Sequence, residues 1–117
     1  MRLVNVAITA VSSIFPLSAS FADSEAGYFA KASYYSSGTL TASGERFDQN
    51  GFTAASKTLP FGARLKLTNL ATGRSIVVRI NDRGPFVRGR DLDLARGAAD
   101  ALGMIEAGTA TLQVARQ

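Results

Sequence analysis

The sequence predicts a small, mostly β domain in the form of a closed barrel with one short helix. Three observations predict this fold: several short segments alternate between apolar and polar residues, 11 of the 117 residues are glycine, and one segment has helical spacing. A β-sandwich would need about seven evenly spaced strands, which the chain does not offer. With 46% hydrophobic and 19% charged residues, the composition is that of an ordinary globular domain.

The first 22 residues have the pattern of a secretory signal peptide. Arg2 supplies a positive charge, a mostly apolar stretch runs from Leu3 to Leu17, and small residues surround Ala22. We therefore expect cleavage after Ala22, a periplasmic or secreted product, and one folded domain over residues 23–117. The apolar stretch is shorter than the roughly 20 residues of a membrane span. No cysteine adjoins the cleavage site to carry a lipid, so we expect no stable membrane anchor.

Residue patterns predict five strands, at residues 27–36, 52–55, 64–70, 75–82 and 109–115, and the last three of them alternate between apolar and polar residues. The first strand is rich in aromatic and small residues, and a polar loop over residues 37–51 follows it. The clearest alternation lies in the third and fourth strands, which the short segment Ala71–Gly73 connects. A connection of that length predicts an antiparallel hairpin.

One helix is predicted over Leu94 to Leu102, with Asp93 as its N-cap. The apolar residues of this segment fall on one side at helical spacing, and Gly103 is suited to end it. In this interpretation Asp93 is explained by capping, and Asp91 is a surface charge.

The absence of cysteine and histidine excludes several kinds of site. A disulfide framework, a thiolate nucleophile, a serine–histidine triad and a typical zinc site all need one of those residues. Acid–base chemistry must then fall to carboxylates, lysine or tyrosine, and we expect neither a metal nor an organic cofactor. The formal charge of +4 suits an approach to an anionic polymer, although a solvated surface is the commoner explanation of such a charge.

Asp82 is the first candidate for acid–base chemistry. It ends the predicted strand 75–82 in phase with the apolar Ile80, so alternation places its carboxylate at the inward rim of the barrel. A rigid turn over residues 83–86 follows, because Pro85 has a fixed φ and no N–H donor. The alternative is that Asp82 only accepts backbone hydrogen bonds within this turn.

Glu45 and Asp48 form the second candidate group. They lie three residues apart in a glycine-containing loop, which can hold both carboxylates over a cleft at the barrel rim. The alternative is that both are solvated surface charges. Their spacing is not that of a calcium-binding loop.

Several long motifs, in a fixed order, make the chain resemble the RlpA family: TASGERFD (41–48), TAASKTLPFG (53–62), VRINDRGPF (78–86), RDLDL (90–94) and ALGM (101–104). That family is the rare lipoprotein A group of septal-ring lytic transglycosylases. The resemblance covers nearly the whole of the predicted domain. It implies a six-stranded double-psi β-barrel, related to the expansin barrels.

The resemblance also implies a reaction, the cleavage of peptidoglycan between N-acetylmuramic acid and N-acetylglucosamine without water, leaving a 1,6-anhydro end. An acid must protonate the glycosidic oxygen while a base removes the proton of the muramoyl C6 hydroxyl. Two carboxyl groups, or one used twice, suffice. By resemblance, Asp82 is the leading catalytic candidate, with Glu45 and Asp48 as supporting carboxylates. The family motif ordinarily has histidine at the position of Ser56. Serine can orient Asp82 or hold a sugar hydroxyl, but it cannot carry a proton charge near neutral pH.

Ser56 keeps a second interpretation open, a non-catalytic expansin-like module that binds glycan or loosens the wall. The candidate substrate-binding residues are the same for both functions: Tyr34, Tyr35, Arg83 and Phe86. About half of the aromatic side chains are expected to belong to the core. The export signal and the lack of a basic-aromatic motif disfavour nucleic-acid binding. Peptidoglycan glycan strands are the expected partner, and the sequence identifies no protein partner.

Overall fold

The computed structural model describes residues 27–117, so the predicted signal peptide lies outside the described residues. The elements, in chain order, are β1 (Tyr28–Tyr35), β2 (Thr53–Ser56), β3 (Arg64–Asn69), β4 (Arg74–Asp82), β5 (Leu92–Ala95), α1 (Arg96–Ala101) and β6 (Ala110–Arg116). The single helix in this part of the chain is far too short to cross a membrane.

The strands close into a barrel in the order β1-β5-β2-β4-β3-β6, with β6 pairing back onto β1. The pairs β1–β5 and β2–β4 are parallel, and the other four pairs are antiparallel. Closure leaves no free sheet edge, which is how such small β domains protect their backbone groups. The predicted six-stranded barrel with one short helix is therefore confirmed.

Alternation in the predicted hairpin places its apolar residues inside the barrel. In the β3–β4 ladder Leu65 pairs with Val78, and both side chains are buried. The core is filled by aliphatic residues from all six strands and from the helix region: Ala30, Ala32, Ala54, Leu65, Leu67, Val78, Ile80, Leu92, Leu94, Ala98, Ala99, Leu102, Met104, Leu112 and Val114.

The predicted helix over Leu94 to Leu102 is wrong at its start. The segment Leu92–Ala95 is strand β5, and α1 spans only Arg96–Ala101. Asp93 does not cap the helix, because the N-cap is Ala95 and no side chain makes a capping hydrogen bond. The reason is tertiary: β5 pairs with β1 on one side and β2 on the other, and these ladders outweigh local helical spacing.

The predicted alternation also fails at the end of β4. Ala54 pairs with Ile80, but the next β2 residue, Ala55, pairs with Asp82, so β4 has one extra residue there. This is a β-bulge, which interrupts the two-residue period. Asn81 is buried and Asp82 is partly exposed, so Asp82 does not continue the buried core face as alternation predicted.

The 37–51 loop folds back over the barrel and ends against α1. The Ser43 N–H donates to the Asn81 carbonyl at 3.2 Å, and the Gly97 N–H donates to the Gln49 carbonyl at 2.7 Å. A Cβ at Gly97 would lie only 2.5 Å from the Asn50 carbonyl oxygen, so this close approach requires glycine. These two bonds fix the loop against β4 at Ser43 and against α1 at Gln49.

Candidate active site

Asp82 lies where the 37–51 loop crosses the end of β4. Its Oδ1 accepts hydrogen bonds from the backbone N–H groups of Ala42 at 2.8 Å and Arg83 at 2.9 Å. Its Oδ2 accepts a third from the Tyr35 hydroxyl at 3.0 Å. All three bonds occupy lone pairs of the carboxylate, so Asp82 is held in one orientation as a hydrogen-bond acceptor.

Tyr35 joins β1 to this cluster. Its ring stacks on Phe47 of the 37–51 loop, with ring centres 4.6 Å apart and an interplanar angle of 14°. Burial, followed by the hydrogen bond to Asp82 and its charge, raises the pKa of Tyr35 far above its ordinary value. Tyr35 is therefore a neutral hydrogen-bond donor to Asp82, and one face of its ring is covered by Phe47.

Glu45 connects the same loop to the middle of β4. Its carboxylate forms a two-bond ion pair with the Arg79 guanidinium and accepts a further hydrogen bond from Asn81 Nδ2 at 3.1 Å. The hydrogen bonds from Arg79 and then Asn81 lower the pKa of Glu45 to about 2. Glu45 is thus ionised at neutral pH and holds the loop in place.

Asp48 stabilises its own turn. Its Oδ1 accepts a hydrogen bond from the Asn50 N–H at 2.9 Å, and its carbonyl accepts one from the Gly51 N–H at 3.0 Å. The side chain is exposed, and no hydrogen bond within residues 27–117 links it to Asp82 or Glu45. The structure therefore separates Asp48 from the hydrogen-bonded cluster.

Ser56 ends β2 with its hydroxyl occupied by the following turn. Its Oγ accepts hydrogen bonds from the backbone N–H groups of Thr58 at 3.3 Å and Leu59 at 3.1 Å. The residue is only 4% exposed. Among the described residues its side chain makes no hydrogen bond to Asp82.

Arg83 follows Asp82 in the chain, and its side chain donates hydrogen bonds to the turn that follows β2. Its Nη1 donates to the carbonyls of Ser56 at 3.2 Å and Leu59 at 2.9 Å. The guanidinium also lies 4.0 Å from the ring centre of Phe61, a cation–π contact. Arg83 thus links the segment after β4 to the segment after β2.

The two other aromatic candidates have opposite surroundings. Phe86 is 81% exposed, which leaves its ring free to meet a ligand. Tyr34 packs against the core and donates its hydroxyl to the Ile105 carbonyl at 2.9 Å. Tyr34 therefore belongs structurally to the barrel and its C-terminal segment.

Asp93 is a neighbour of this cluster that the sequence interpretation missed. It pairs in register with Ala55, which pairs on its other side with Asp82, and its Oδ1 accepts a hydrogen bond from Ser33 Oγ at 2.9 Å. Burial is the largest effect and raises the pKa of Asp93; the Ser33 hydrogen bond and then the Arg90 charge oppose this rise, and the negative charge of Asp82 adds the smallest contribution to it. The alternation of Leu92 and Leu94 around Asp93 was the available signal, but a four-residue strand is too short to distinguish from a helix start.

The carboxyl groups at the end of β4 and in β5 can support acid–base chemistry. Asp82 is a fixed acceptor, and Asp93 is a partly buried carboxyl two strands away. In the part of the chain that the structure describes, no three carboxylate, histidine or cysteine side chains converge in a way that would hold a metal ion. Paired carboxyls with different surroundings are the usual basis of proton transfer in glycan cleavage.

Comparison with known proteins identifies relatives of this domain. The family model described as lytic transglycolase matches residues 29–114. The chain is 62% identical over 71 residues to a Synechocystis protein named "Probable endolytic peptidoglycan transglycosylase RlpA", covering 61% of this chain and 22% of the relative. It is 48% identical over 87 residues to the endolytic peptidoglycan transglycosylase RlpA of Vibrio cholerae, covering 72% of this chain and 33% of the relative. The chain thus spans only about a fifth to a third of the length of the curated relatives it matches.

Solved structures with the same fold are more distant in sequence. The Streptomyces papain inhibitor superimposes with a TM-score of 0.64 at 20% identity, covering 77% of this chain and 93% of that protein. An expansin of Clavibacter michiganensis superimposes with a TM-score of 0.64 at 19% identity, covering 78% of this chain and 50% of the expansin. These similarities establish the shared barrel.

Proposed function

The chain belongs to the lytic transglycolase family, and from this membership we propose that it is an endolytic peptidoglycan transglycosylase. It cuts glycan strands between N-acetylmuramic acid and N-acetylglucosamine and leaves a 1,6-anhydro-muramoyl end. The observation that carries this proposal is the Asp82 carboxylate, held by three hydrogen bonds at the barrel rim. The peptidoglycan transglycosylase names of the relatives support the substrate class.

Asp82 acts on the attacking hydroxyl in this proposal. A carboxylate that already accepts three hydrogen bonds is fixed in orientation, so little reorganisation is needed when it takes the proton of the muramoyl C6 hydroxyl. The C6 oxygen then attacks C1 in place of water. Glu45 serves this step indirectly, because its ion pair with Arg79 holds the loop that supplies the Ala42 N–H to Asp82.

We place this activity in the cell envelope, in wall remodelling or cell separation. Peptidoglycan lies outside the cytoplasmic membrane, so a protein that cuts it must be exported. The signal-peptide pattern of residues 1–22 supports export to the periplasm or beyond, with cleavage after Ala22.

A glycan-binding, wall-loosening module is the second candidate function, and Ser56 is the observation that favours it. Its hydroxyl is occupied by two backbone N–H groups of its own turn, so it does not replace a titratable imidazole beside Asp82. The exposed ring of Phe86 would serve a binding module as well as an enzyme.

Mass spectrometry of peptide-stripped glycan strands incubated with the protein separates the two functions. We expect anhydro-muramoyl fragments from the parent and none from Asp82→Asn, while Asp100→Asn, which alters an exposed helix residue, behaves like the parent. Glycan binding by both the parent and Asp82→Asn, without product from either, would replace the enzyme with the binding module. Fragments produced only by Ser56→His would mark the natural protein as a relative that has lost activity.

A further inference from the structure

A row of four paired residues runs across the barrel next to Asp82. The strand registers pair Ser33 with Asp93, Asp93 with Ala55, and Ala55 with Asp82. Neighbouring strands lie about 4.8 Å apart, so the Cα atoms of Asp93 and Asp82 are separated by about 10 Å. The bulge in β4 creates this alignment, because it brings Asp82 rather than Asn81 opposite Ala55.

Asp93 lies on the outer side of the barrel wall. Leu92 and Leu94 on either side of it are fully buried in the core, and successive side chains of a strand point to opposite faces. The hydrogen bond from Ser33 Oγ fixes the Asp93 carboxyl on this outer face. In the row, only the methyl group of Ala55 stands between Asp93 and Asp82.

The two aspartates differ in their hydrogen bonds. Asp82 accepts three, two of them from backbone N–H groups, whereas Asp93 accepts one, from the neutral Ser33 hydroxyl. The charged or titratable groups that face Asp93 are Asp82 from β4, Tyr35 from β1 and Arg90 from the segment before β5. Burial and the charge of Asp82 favour a proton on Asp93, and together they outweigh Arg90 and the Ser33 hydrogen bond.

The other candidate carboxyls are less suited to hold that proton. Glu45 has its pKa lowered to about 2 by Arg79 and Asn81, so it is ionised at neutral pH. Asp48 is exposed and bonded to the backbone of its own turn. Asp93 is the remaining carboxyl beside Asp82 in the strand registers.

We propose that Asp93 is the general acid of the cleavage reaction and that Asp82 is its base. This inference rests on the proposed transglycosylase function. The Asp93 carboxylic acid gives its proton to the glycosidic oxygen as the C1–O bond breaks, and that oxygen becomes the 4-hydroxyl of the departing fragment. Asp82 takes the proton of the C6 hydroxyl as its oxygen bonds to C1. Transfer of that proton from Asp82 back to Asp93 through solvent restores the site, so no co-reactant is needed.

The division is compatible with the geometry of the reaction. The C6 hydroxyl and the departing glycosidic oxygen of a β-linked muramoyl unit lie on the same face of the sugar ring, so both carboxyls must reach that one face. Asp93 and Asp82 meet this requirement, because their registers with Ala55 place both on the same face of the sheet.

The first test measures the rate of anhydro-end formation from peptide-stripped strands as a function of pH. We expect Asp93→Asn to lose about 100-fold or more in rate, the usual range for removal of a general acid. The parent rate should fall as the pH rises through the pKa of Asp93, and Asp93→Asn should lose this fall. Asp91→Asn, an exposed aspartate two residues away, should keep the parent rate and profile.

A second variant tests the same assignment without removing the carboxyl. The Ser33 hydrogen bond favours the charged form of Asp93, so Ser33→Ala should raise the pKa of Asp93 and move the loss of rate to higher pH. A structural role alone would change the amount of folded protein but not the position of this pH limb. Thermal melting of each variant reports folding separately.

The outcomes distinguish the failure of this inference from that of the proposed function. An active parent, together with an Asp93→Asn rate within threefold of it and an unchanged pH profile, overturns the role of Asp93 and leaves the transglycosylase intact. An inactive parent overturns both. Carboxyl ¹³C NMR of the full protein adds a measurement independent of activity: the pKa of Asp93 should lie above that of an ordinary aspartate, and an ordinary or lower value overturns its role as the acid.

Discussion

Glu45 and Asp93 both carry carboxyl groups, but their surroundings shift the pKa values of these groups in opposite directions. Glu45 faces the Arg79 guanidinium and the Asn81 amide, which lower its pKa to about 2 and make it a structural anion. Asp93 is partly buried and faces another carboxylate, which together raise its pKa. The residue types alone did not separate these roles, because each side chain hydrogen-bonds a partner more than 30 residues away in sequence.

The Glu45 ion pair should make stability depend on pH in the acid range. Its pKa is lower in the folded protein than the ordinary value of 4.5, so its contribution is complete above about pH 4.5 and is lost as the pH falls through about 2. The side chains of Arg79 and Glu45 are 40% and 36% exposed, which limits the effect to about 1 kcal/mol at most. We expect Glu45→Gln to melt a few degrees below the parent at pH 6 and together with it at pH 2. Glu106→Gln, which alters an exposed glutamate, is the control, and a difference that persists at pH 2 would contradict the assignment.

Tyr35 should matter through its hydroxyl rather than its ring. Tyr35→Phe keeps the stack on Phe47 but removes the hydrogen bond to Asp82, and bonds to charged groups contribute about 1.5–3 kcal/mol. We expect kcat for anhydro-end formation to fall at least about tenfold, with KM unchanged. Tyr28→Phe, in an exposed position at the other end of β1, controls for the loss of a hydroxyl. A rise in KM with unchanged kcat would instead indicate that Tyr35 binds the sugar.

At the scale of elements, the 37–51 loop completes the candidate site at the rim of the barrel. It supplies the Ala42 N–H to Asp82, the Glu45 carboxylate to Arg79, and the Phe47 ring to Tyr35. Its far end is held by the hydrogen bond from the Gly97 N–H to the Gln49 carbonyl. The helix α1 therefore contributes to the site by anchoring the loop.

Gly97→Ala should loosen this loop. The added Cβ would lie 2.5 Å from the Asn50 carbonyl oxygen, a backbone atom that cannot rotate away like a side-chain end. We expect faster amide hydrogen exchange in residues 42–51 and a reduced rate of glycan cleavage, with the barrel strands still protected. Gly51→Ala is the matched control, since its Cβ would meet the nearest atom at 3.4 Å. Unchanged exchange in the loop would show that the anchor is dispensable.

Local patterns predicted five of the six strands and missed β5. The β3–β4 hairpin follows from its alternation, and its predicted bounds differ from the observed ones by a single residue. Strand β5 was assigned to a helix because four residues give too little periodicity, and its identity comes from ladders on both sides. The β4 bulge at Asn81 left no sequence signal, since it depends on pairing with β2.

At the scale of the whole molecule, closure of the barrel depends on pairings between distant parts of the chain. The parallel pair β1–β5 joins Tyr34 to Leu94, and the parallel pair β2–β4 joins Ala54 to Ile80. Neither pairing follows from alternation, and the six-stranded barrel was predicted from the motifs of a known family. The same closure aligns Asp82 with Asp93, which explains why the sequence indicated Asp82 but not its neighbour.

Closure also predicts that the barrel unfolds as one unit. Leu94 is fully buried in the core, and its strand pairs with both β1 and β2, so Leu94→Ala should weaken the packing of three strands at once. We expect a loss of about 2–5 kcal/mol in the free energy of unfolding, measured by urea denaturation. Leu70→Ala, at a position 62% exposed, should change it by less than about 0.5 kcal/mol.

Far-UV circular dichroism and tyrosine fluorescence should report the same midpoint, because no strand of a closed barrel has a free edge from which to separate. Two separate midpoints would show instead that part of the barrel opens independently, and the Asp82–Asp93 alignment would then depend on that local equilibrium.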